Sequence, residues 1–368
     1  MAVVDTNPQQ MRQVGVEAAA GGIVAVEPER INEAFQAPPT VEGMLSATGR
    51  SAEYLRGYRE AVLHLTAPAA GGLVEEADMA AVADEAQATW GLQAVRAVNS
   101  SFGGKGIRVA VLDTGLDLEH PDFADRSITD RSFIPGEAVQ DGNGHGTHCI
   151  GTSMGPKAPP TGPRYGVAYE AEIYAGKVLS NAGSGSDAQI LGGIEWAMRN
   201  QCAVVSMSLG ARTSPGQAFS RVFEAVAARA QDAGTLIIAA AGNDSDRPTV
   251  ARPVSHPANC PSIMAVAALD SSLKVARFSN RGINPSGGQV DIAAPGVDVY
   301  SSYPMATRYR RLNGTSMATP HVAGVAALLA QANPRARGAA LWQLVTTRAR
   351  RLPMLSCADV GAGLVQAP

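Results

Sequence analysis

The stretch Ile107-Arg108-Val109-Ala110-Val111-Leu112, which leads into Asp113, decides how this chain folds. Its apolar residues follow one another without strict alternation, which is typical of a strand covered on both faces in a parallel sheet. Three more runs share this character: Val204–Met207, Leu236–Ala241 and Ile263–Val266. Helices are predicted between the runs at His145–Met154, Ala188–Asn200, Ala218–Asp232 and Thr319–Ala332. Strands that alternate with helices predict a doubly wound α/β domain with functional groups at the carboxyl ends of its strands.

The bulk composition limits the partners of the chain. Its 368 residues are 45% hydrophobic and 17% charged, as in an ordinary globular protein. The formal net charge of −3 argues against a nucleic-acid partner, and no uncharged apolar stretch is long enough to cross a membrane. The start, Met1–Asp5, lacks the basic segment of a secretory signal, and the four cysteines form no dense disulfide pattern. We therefore expect reduced thiols and a cytoplasmic rather than a secreted protein.

The net charge and the pattern of apolar residues both change near residue 88. Residues 1–90 hold 5 Lys/Arg and 13 Asp/Glu, so their net charge is 5 − 13 = −8, and the rest hold 25 and 20, giving 25 − 20 = +5. The N-terminal part has a possible helix at Ser51–Tyr58 and a break at Ala67–Gly72. We therefore predict an acidic N-terminal region at residues 1–88 and a folded domain at 89–368, and their opposite charges favour mutual attraction.

Asp113 occupies the end of the first apolar run. A carboxylate held there is rigid and partly desolvated, which suits a residue that orients an imidazole and stabilises its cation. The triplet Asp113-Thr114-Gly115 is also compatible with half of an aspartic-protease pair. The chain has no second such triplet, so that alternative requires a homodimer.

His145 lies between two glycines at the start of a predicted helix, where its imidazole would be accessible. His148 follows three residues later, so a zinc pair on one helical face is an alternative. The stretch lacks the HExxH pattern and a third ligand, and His148 is otherwise expected to be a packed, hydrogen-bonded histidine. Cys149 follows directly and is expected either as a small buried hydrophobic residue or near the same site, where its modification by a mercurial would displace the helix that bears His145.

Ser316 lies in the string Asn313-Gly314-Thr315-Ser316-Met317-Ala318-Thr319-Pro320-His321. The proline is tolerated in a first helical turn, so the serine is predicted at a helix N-terminus. There the helix dipole and the free N–H groups favour negative charge near its Oγ. Asn243 follows the apolar run that starts at Leu236, which would deliver an amide to the same edge of the sheet. Helix capping by the serine and a turn at the asparagine are the simpler alternatives.

Taken together, these motifs resemble those of the subtilisin (subtilase) family of serine proteases, from about Thr89 to the C-terminus. The order Asp, His, Ser is that of subtilisin. The resemblance implies a three-layer α/β fold with a central, mostly parallel sheet, plus a small N-terminal region. It also implies a serine endopeptidase with Asp113, His145 and Ser316 as the triad, an acyl-enzyme intermediate, and Asn243 with a backbone N–H as the oxyanion hole. Protein or peptide substrates follow from this.

The resemblance also implies where a substrate lies. Two segments correspond to the edges between which a peptide is added as a strand, namely Gly183, Ser184 and Gly185 in one and Ser208, Leu209 and Gly210 in the other. The segment His256–Pro261 corresponds to part of the first specificity pocket, to which Ser255 would add a polar group.

Asp122 corresponds to a family residue that often ligates calcium. The partner loop at 155–163, however, is rich in proline and carries Lys157, which disfavours a cage of oxygen ligands. We therefore expect no required cofactor and no other metal ligand, with Asp122 as the single candidate for calcium.

The resemblance further implies that residues 1–88 are a pro-domain and linker of a zymogen, with the junction between Ala67 and Gly91. Three alternatives stay open at this point. The chain is compatible with a non-catalytic peptide-binding pseudoprotease, with an esterase or amidase that uses the same triad, and with a dedicated maturase that has one protein substrate.

Overall fold

The computed structural model describes residues 25–35 and 84–368. The strands of the described residues, in chain order, are β1 (Ile31–Ala34), β2 (Arg108–Asp113), β3 (Ile128–Ser132), β4 (Glu172–Lys177), β5 (Ser184–Ser186), β6 (Val204–Met207), β7 (Leu209–Gly210), β8 (Leu236–Ala240), β9 (Met264–Leu269), β10 (Ile292–Pro295), β11 (Val299–Ser302) and β12 (Tyr309–Leu312). The helices are α1 (Trp90–Ala94), α2 (His145–Met154), α3 (Asp187–Arg199), α4 (Arg221–Asp232), α5 (Thr315–Ala332), α6 (Gly338–Thr347) and α7 (Cys357–Val360). Short 3₁₀ segments span Ala97–Asn99 and Pro121–Phe123.

A seven-stranded sheet forms the centre of the fold. Its order is β10-β9-β8-β6-β2-β4-β3, and each neighbouring pair is parallel. Alternating side chains of β2 contact helices on opposite faces, because Leu112 packs against Gly193 of α3 while Asp113 bonds to His145 of α2. Strands β6, β8, β9 and β10 are buried at every residue, as expected when helices cover both faces. The predicted three-layer α/β fold is confirmed.

The element bounds depart from the sequence prediction at helix α5. It begins at Thr315, four residues before the predicted start, so Pro320 lies in its second turn. Proline lacks the N–H that would bond the carbonyl four residues earlier, which is that of Ser316. That carbonyl accepts instead from Ser208 Oγ at 2.8 Å and from Cys149 Sγ at 3.6 Å. Two side chains thus replace the missing backbone bond and let the helix run through the proline.

A second, small sheet contains the only described strand of the N-terminal region. Its order is β5-β1-β7, and β1 pairs antiparallel with both neighbours. The predicted helix at Ser51–Tyr58 and the break at Ala67–Gly72 lie outside the described residues, so the division near residue 88 stays a prediction. Among the described residues, no helix has the length and apolar character needed to cross a membrane. All four cysteines are free; Cys149, Cys202 and Cys260 are buried and Cys357 is exposed.

Candidate active site

Asp113 and His145 form a buried pair at the carboxyl edge of the central sheet. Asp113 ends β2 and His145 begins α2, and the His145 Nδ1 to Asp113 Oδ1 distance is 2.7 Å. The same Asp113 oxygen accepts from the Thr114 backbone N–H at 2.7 Å. Before the helix, Gly144 has φ +102°, and a Cβ there would lie 2.4 Å from the Tyr303 ring. Glycine is therefore required for the backbone to turn so tightly into His145.

The carboxylate sets the protonation behaviour of His145. Complete burial by itself favours the neutral imidazole, but the charge and hydrogen bond of Asp113 outweigh it and raise the pKa of His145 well above 6.5. The other ring nitrogen, Nε2, is buried and has no hydrogen-bond partner among residues 25–35 and 84–368. The ring thus has one nitrogen fixed by a carboxylate and one available to exchange a proton.

Ser316 is the second residue of α5, so it lies where the free N–H groups of the helix are. Its hydroxyl donates to the Ser208 carbonyl at 3.0 Å, rather than to His145. Ser208 Oγ in turn donates to the Ser316 carbonyl at 2.8 Å. Bonds between a nucleophile and its base are often absent or long before substrate binds. The hydroxyl would need to rotate off Ser208 to reach His145.

Asn243 follows β8 at the same edge of the sheet. Its Oδ1 accepts from the backbone N of Thr315 at 2.9 Å and from Thr315 Oγ1 at 2.8 Å. Its Nδ2 is buried and has no partner within the described part of the chain. A Cβ on Gly314 would lie 3.0 Å from this Nδ2 and 2.8 Å from the Phe35 carbonyl oxygen. An amide donor and a peptide carbonyl therefore both lie close to Gly314, where a side chain would obstruct them.

The predicted substrate-binding segments enclose β1. Residues Ile31 and Glu33 pair with Ser186 and Ser184 on one side. On the other side Glu33 and Ala34 pair with Gly210 and Leu209.

Two further backbone bonds extend this pairing toward Ser316. Ala34 N donates to the Gly183 carbonyl at 2.9 Å, and Phe35 N donates to the Ser208 carbonyl at 3.3 Å. The Phe35 ring packs against Gly210. A segment of the chain itself thus lies between the two edges as an added strand.

Ser255, the remaining predicted pocket residue, lies next to Gly242, and its Oγ occupies the space that a side chain on Gly242 would need. It is buried, its Oγ donates to Asp244 Oδ2 at 3.4 Å, and it accepts from Asn280 Nδ2 at 3.3 Å. Its side-chain contacts within the described residues are therefore with this polar cluster, and its role in a specificity pocket stays a prediction.

The candidate calcium ligand has other partners. The Asp122 carboxylate accepts from the hydroxyl of Tyr165 and from that of Tyr309 at 3.0 and 3.1 Å. These rings pack edge to face, 6.0 Å apart between centroids. Two phenol donors occupy the oxygens that a cation would need, and phenol O–H groups are not the oxygen donors that calcium prefers. The residues around Asp122 do not fit a calcium ion.

His148 links the two strands of the hairpin β11–β12. Its Nε2 lies 3.0 Å from the Val299 carbonyl and 3.1 Å from that of Arg310. Burial lowers the pKa of His148 to about 3. The ring is therefore neutral, and its Nε2–H is shared by two carbonyls of the hairpin, so this nitrogen is not available to bind zinc.

Sequence reasoning missed the carboxylate that joins β2 to α2. Asp141 accepts from Thr114 Oγ1 at 2.9 Å, from the backbone N of Gly144 at 2.8 Å, and from Thr147 N and Oγ1 at 2.8 and 2.7 Å. These bonds hold the start of the His145 helix against the strand that carries Asp113. The signal was present, since an acidic residue shortly before a helix start is typical of an N-terminal anchor.

Thr315, which fixes the Asn243 amide, was also missed. Its position next to a predicted nucleophile was visible in the sequence, but its bond to Asn243 joins residues that are 72 positions apart. Such a contact has no local signature.

Comparisons with known proteins identify the family of the chain. The subtilase family profile matches residues 104–363. Subtilisin Savinase of Lederbergia lenta is 45% identical over 255 residues, which cover 67% of this chain and 85% of that protein. The alkaline protease of Alkalihalobacillus alcalophilus is 43% identical over 277 residues, covering 73% of this chain and 65% of that protein. The chain thus matches slightly less than two thirds of that relative.

Solved structures show the same fold. Sphericase superposes with a TM-score of 0.66 at 31% identity, over 76% of this chain and 98% of its own. A cold-adapted subtilisin-like serine proteinase superposes with a TM-score of 0.65 at 32% identity, over 77% and 99%. The family profile spans most of the chain, and the relatives share its sequence well above the level of fold similarity alone. The chain belongs to the subtilase family.

Proposed function

We propose that this chain is a serine endopeptidase that hydrolyses peptide bonds through Asp113, His145 and Ser316. The observation that carries the proposal is the buried 2.7 Å bond between Asp113 and His145, with Nε2 of the ring left free, at the edge of the sheet where α5 presents Ser316. A carboxylate, an oriented imidazole and a serine at a helix N-terminus are the parts that acyl transfer needs. The names of the relatives, alkaline protease and subtilisin, support the same activity.

The reaction follows from these positions. The Ser316 hydroxyl rotates off the Ser208 carbonyl and gives its proton to His145 Nε2, and Ser316 Oγ attacks the peptide carbonyl. Asp113 stabilises the imidazolium that forms. Asn243 Nδ2 and the backbone N–H of Ser316 donate to the oxyanion. His145 then protonates the leaving amine, and water releases the acyl group by the reverse route.

The substrate is an extended peptide that is held by its main chain. The contacts of β1 with β5 and β7 are mainly backbone hydrogen bonds, which any sequence can make. Proteins with locally unfolded segments are therefore the substrate class that the cleft suits best. Selectivity must come from the side chains of the bound strand.

The test is covalent labelling of the purified chain with a fluorophosphonate, followed by intact mass measurement and peptide mapping. We expect a single adduct on Ser316 and none in Ser316→Ala. A folded chain that forms no adduct after its N-terminal region is removed would be a peptide-binding pseudoprotease. Faster turnover of small esters than of casein would indicate an esterase, and cleavage of only one in a panel of unrelated proteins would indicate a maturase.

We also infer that the N-terminal region keeps the enzyme in an inactive zymogen form. This is supported by β1, which fills the substrate position, and by Phe35, whose N–H bonds the Ser208 carbonyl that also accepts from Ser316. Ala34→Pro removes the N–H that bonds Gly183, so it should weaken β1 and speed fluorophosphonate labelling. Ile31→Ala keeps every backbone donor and changes only an exposed side chain, so it is the matched control. Equal labelling rates in both variants and the wild type would refute this role.

A further inference from the structure

Strand β1 buries one polar side chain in the cleft. The Asn32 side chain is 0% exposed, whereas that of its neighbour Ile31 is 63% exposed. Its Nδ2 donates to Asp187 Oδ1 at 2.8 Å. A buried amide that finds a carboxylate partner makes a charge-assisted bond, which is stronger than a neutral one. The contact thus distinguishes the side chain at this position of the strand from those on either side.

Asp187 is the first residue of α3, and its two carboxylate oxygens point at the bound strand. Oδ1 also accepts from His256 Nε2 at 3.1 Å, and Oδ2 accepts from the backbone N of Arg30 at 3.1 Å and from its Nη1 at 3.4 Å. The helix N-terminus adds favourable potential for the negative charge. Although burial favours the neutral acid, these bonds from His256, Asn32 and Arg30 hold the pKa of Asp187 below its usual value.

His256 is fixed independently of the strand. Its ring stands edge to face against Phe223, with 4.5 Å between centroids, and its backbone exchanges two hydrogen bonds with Ala211, next to β7. His256 therefore acts as a positioning residue, which holds Asp187 Oδ1 toward the cleft whether or not a peptide is bound.

The register relates this contact to the bond that Ser316 would attack. The Phe35 carbonyl oxygen and Asn243 Nδ2 both lie close to Gly314, where the oxyanion would form. Asn32 is three residues before Phe35, so its side chain stands at the fourth position before the reactive bond. This assignment rests on the function proposed above.

We propose that Asp187, held by His256, selects substrates with a hydrogen-bond-donating side chain, an amide such as asparagine, at the fourth position before the cleaved bond. A leucine there would remove one of the two donors to Asp187 Oδ1 and leave only His256, which is costly because the buried oxygen has lost water as well. An aspartate there would place two carboxylates together. The cleft thus binds the main chain of any peptide, and Asp187 selects for one polar side chain of that peptide.

The direct test uses quenched peptides with the sequence of residues 30–37, Arg-Ile-Asn-Glu-Ala-Phe-Gln-Ala, and the purified, unlabelled chain in the form, full-length or shortened, whose Ser316 is shown to react with the fluorophosphonate. The asparagine is replaced by leucine or by aspartate. We expect kcat/KM for the asparagine peptide to exceed that for leucine by about 10- to 100-fold, and that for aspartate by more. Mass spectrometry should place the cut after phenylalanine. Equal rates for asparagine and leucine, or a cut elsewhere, would overturn the proposal.

A change of preference in a variant assigns the effect to Asp187. Asp187→Leu should favour the leucine peptide over the asparagine peptide. Glu195→Leu, the same change on an exposed position of α3, should keep the wild-type ratio. Wild-type preference in Asp187→Leu would exclude Asp187 as the selecting group.

A second measurement uses the full chain alone. Asn32→Leu should loosen β1 and raise the rate of Ser316 labelling by about tenfold, whereas Glu33→Leu, at an exposed neighbouring position, should leave the rate unchanged. An unchanged rate in Asn32→Leu would refute the contact as a source of affinity. If Ser316 is labelled but kcat/KM is equal for the asparagine and leucine peptides, only this inference fails. If Ser316 is labelled in no form of the chain, the proposed function itself fails.

Discussion

Substitution of Asn243 by alanine tests the oxyanion site most directly. Two bonds from Thr315, at 2.9 and 2.8 Å, fix Asn243 Oδ1, so the Nδ2 group is held with no other partner among the described residues. In subtilisins, the class in which the value was measured, loss of one such donor costs about 10²- to 10³-fold in kcat, or about 2.7–4 kcal/mol. We expect a loss of that size in Asn243→Ala. It should appear in kcat, because the amide donates only once the carbonyl becomes an oxyanion.

The structure also predicts that a change at Thr315 lowers kcat less than the loss of Asn243 does. Thr315→Val keeps the backbone bond to Asn243 Oδ1 and removes the hydroxyl bond, whose net worth is about 1 kcal/mol. The amide would then be held less firmly, and we expect roughly a fivefold loss in kcat. The contacts of a substrate with β5 and β7 are untouched in both variants, so KM should change little.

The assay is steady-state hydrolysis of a peptide that is cut after phenylalanine, with calorimetry of each variant as a control for folding. Thr315 Oγ1 also accepts from the backbone N of Gly242 at 3.1 Å, so a small loss of thermal stability is expected in Thr315→Val. A full-strength kcat in Asn243→Ala, or a loss that appears only in KM, would show that Asn243 does not donate to the transition state.

Three more outcomes are expected. Because His145 must be neutral to accept a proton and Asp113 raises its pKa despite burial, kcat/KM should rise with pH to a half-maximum above 6.5, and residual activity of Asp113→Asn should titrate lower. Asp122→Asn should lower the free energy of unfolding by about 1–3 kcal/mol, and added calcium should not restore it in calorimetry. A mercurial should inactivate the wild type and Cys357→Ser, whereas Cys149→Ser, which lacks the thiol beside His145 Nδ1 at 3.9 Å, should resist it.

The central sheet was predictable because its signal is local. A parallel strand that is covered on both faces must be apolar along its whole length, so runs such as Ile107–Leu112 and Val204–Met207 reveal themselves without knowledge of their partners. The helix that carries His145 was predicted with the bounds that the structure shows. The start of α5 was misplaced because the prediction assigned Pro320 to the first turn. The carbonyl that this proline leaves free is satisfied by Ser208 and Cys149, which are distant in sequence.

The occupied cleft was not predictable in the same way. Residues Ile31–Ala34 read Ile-Asn-Glu-Ala, which lacks the β-branched, alternating pattern of a strand. They form a strand because β5 and β7 offer unpaired backbone groups on both sides, and such pairing depends little on side chains. The link between Asp187 and His256 joins residues 69 positions apart, and each alone is an unremarkable polar residue in the sequence.

The Ser208 carbonyl connects the occupied cleft to the chemistry. It accepts from the Phe35 N–H at 3.3 Å and from the Ser316 hydroxyl at 3.0 Å, and a carbonyl oxygen has two lone pairs to serve both. The Ser316 backbone is held separately, because Pro320 leaves its carbonyl free for Ser208 Oγ. Rotation of the hydroxyl toward His145 Nε2 would therefore break neither the bond from the Phe35 N–H nor the bond between Ser208 Oγ and the Ser316 carbonyl. If the strand keeps the site closed, as proposed, a substrate can enter only when the strand leaves the cleft, and the Ser316 hydroxyl needs only to rotate, without a movement of α5.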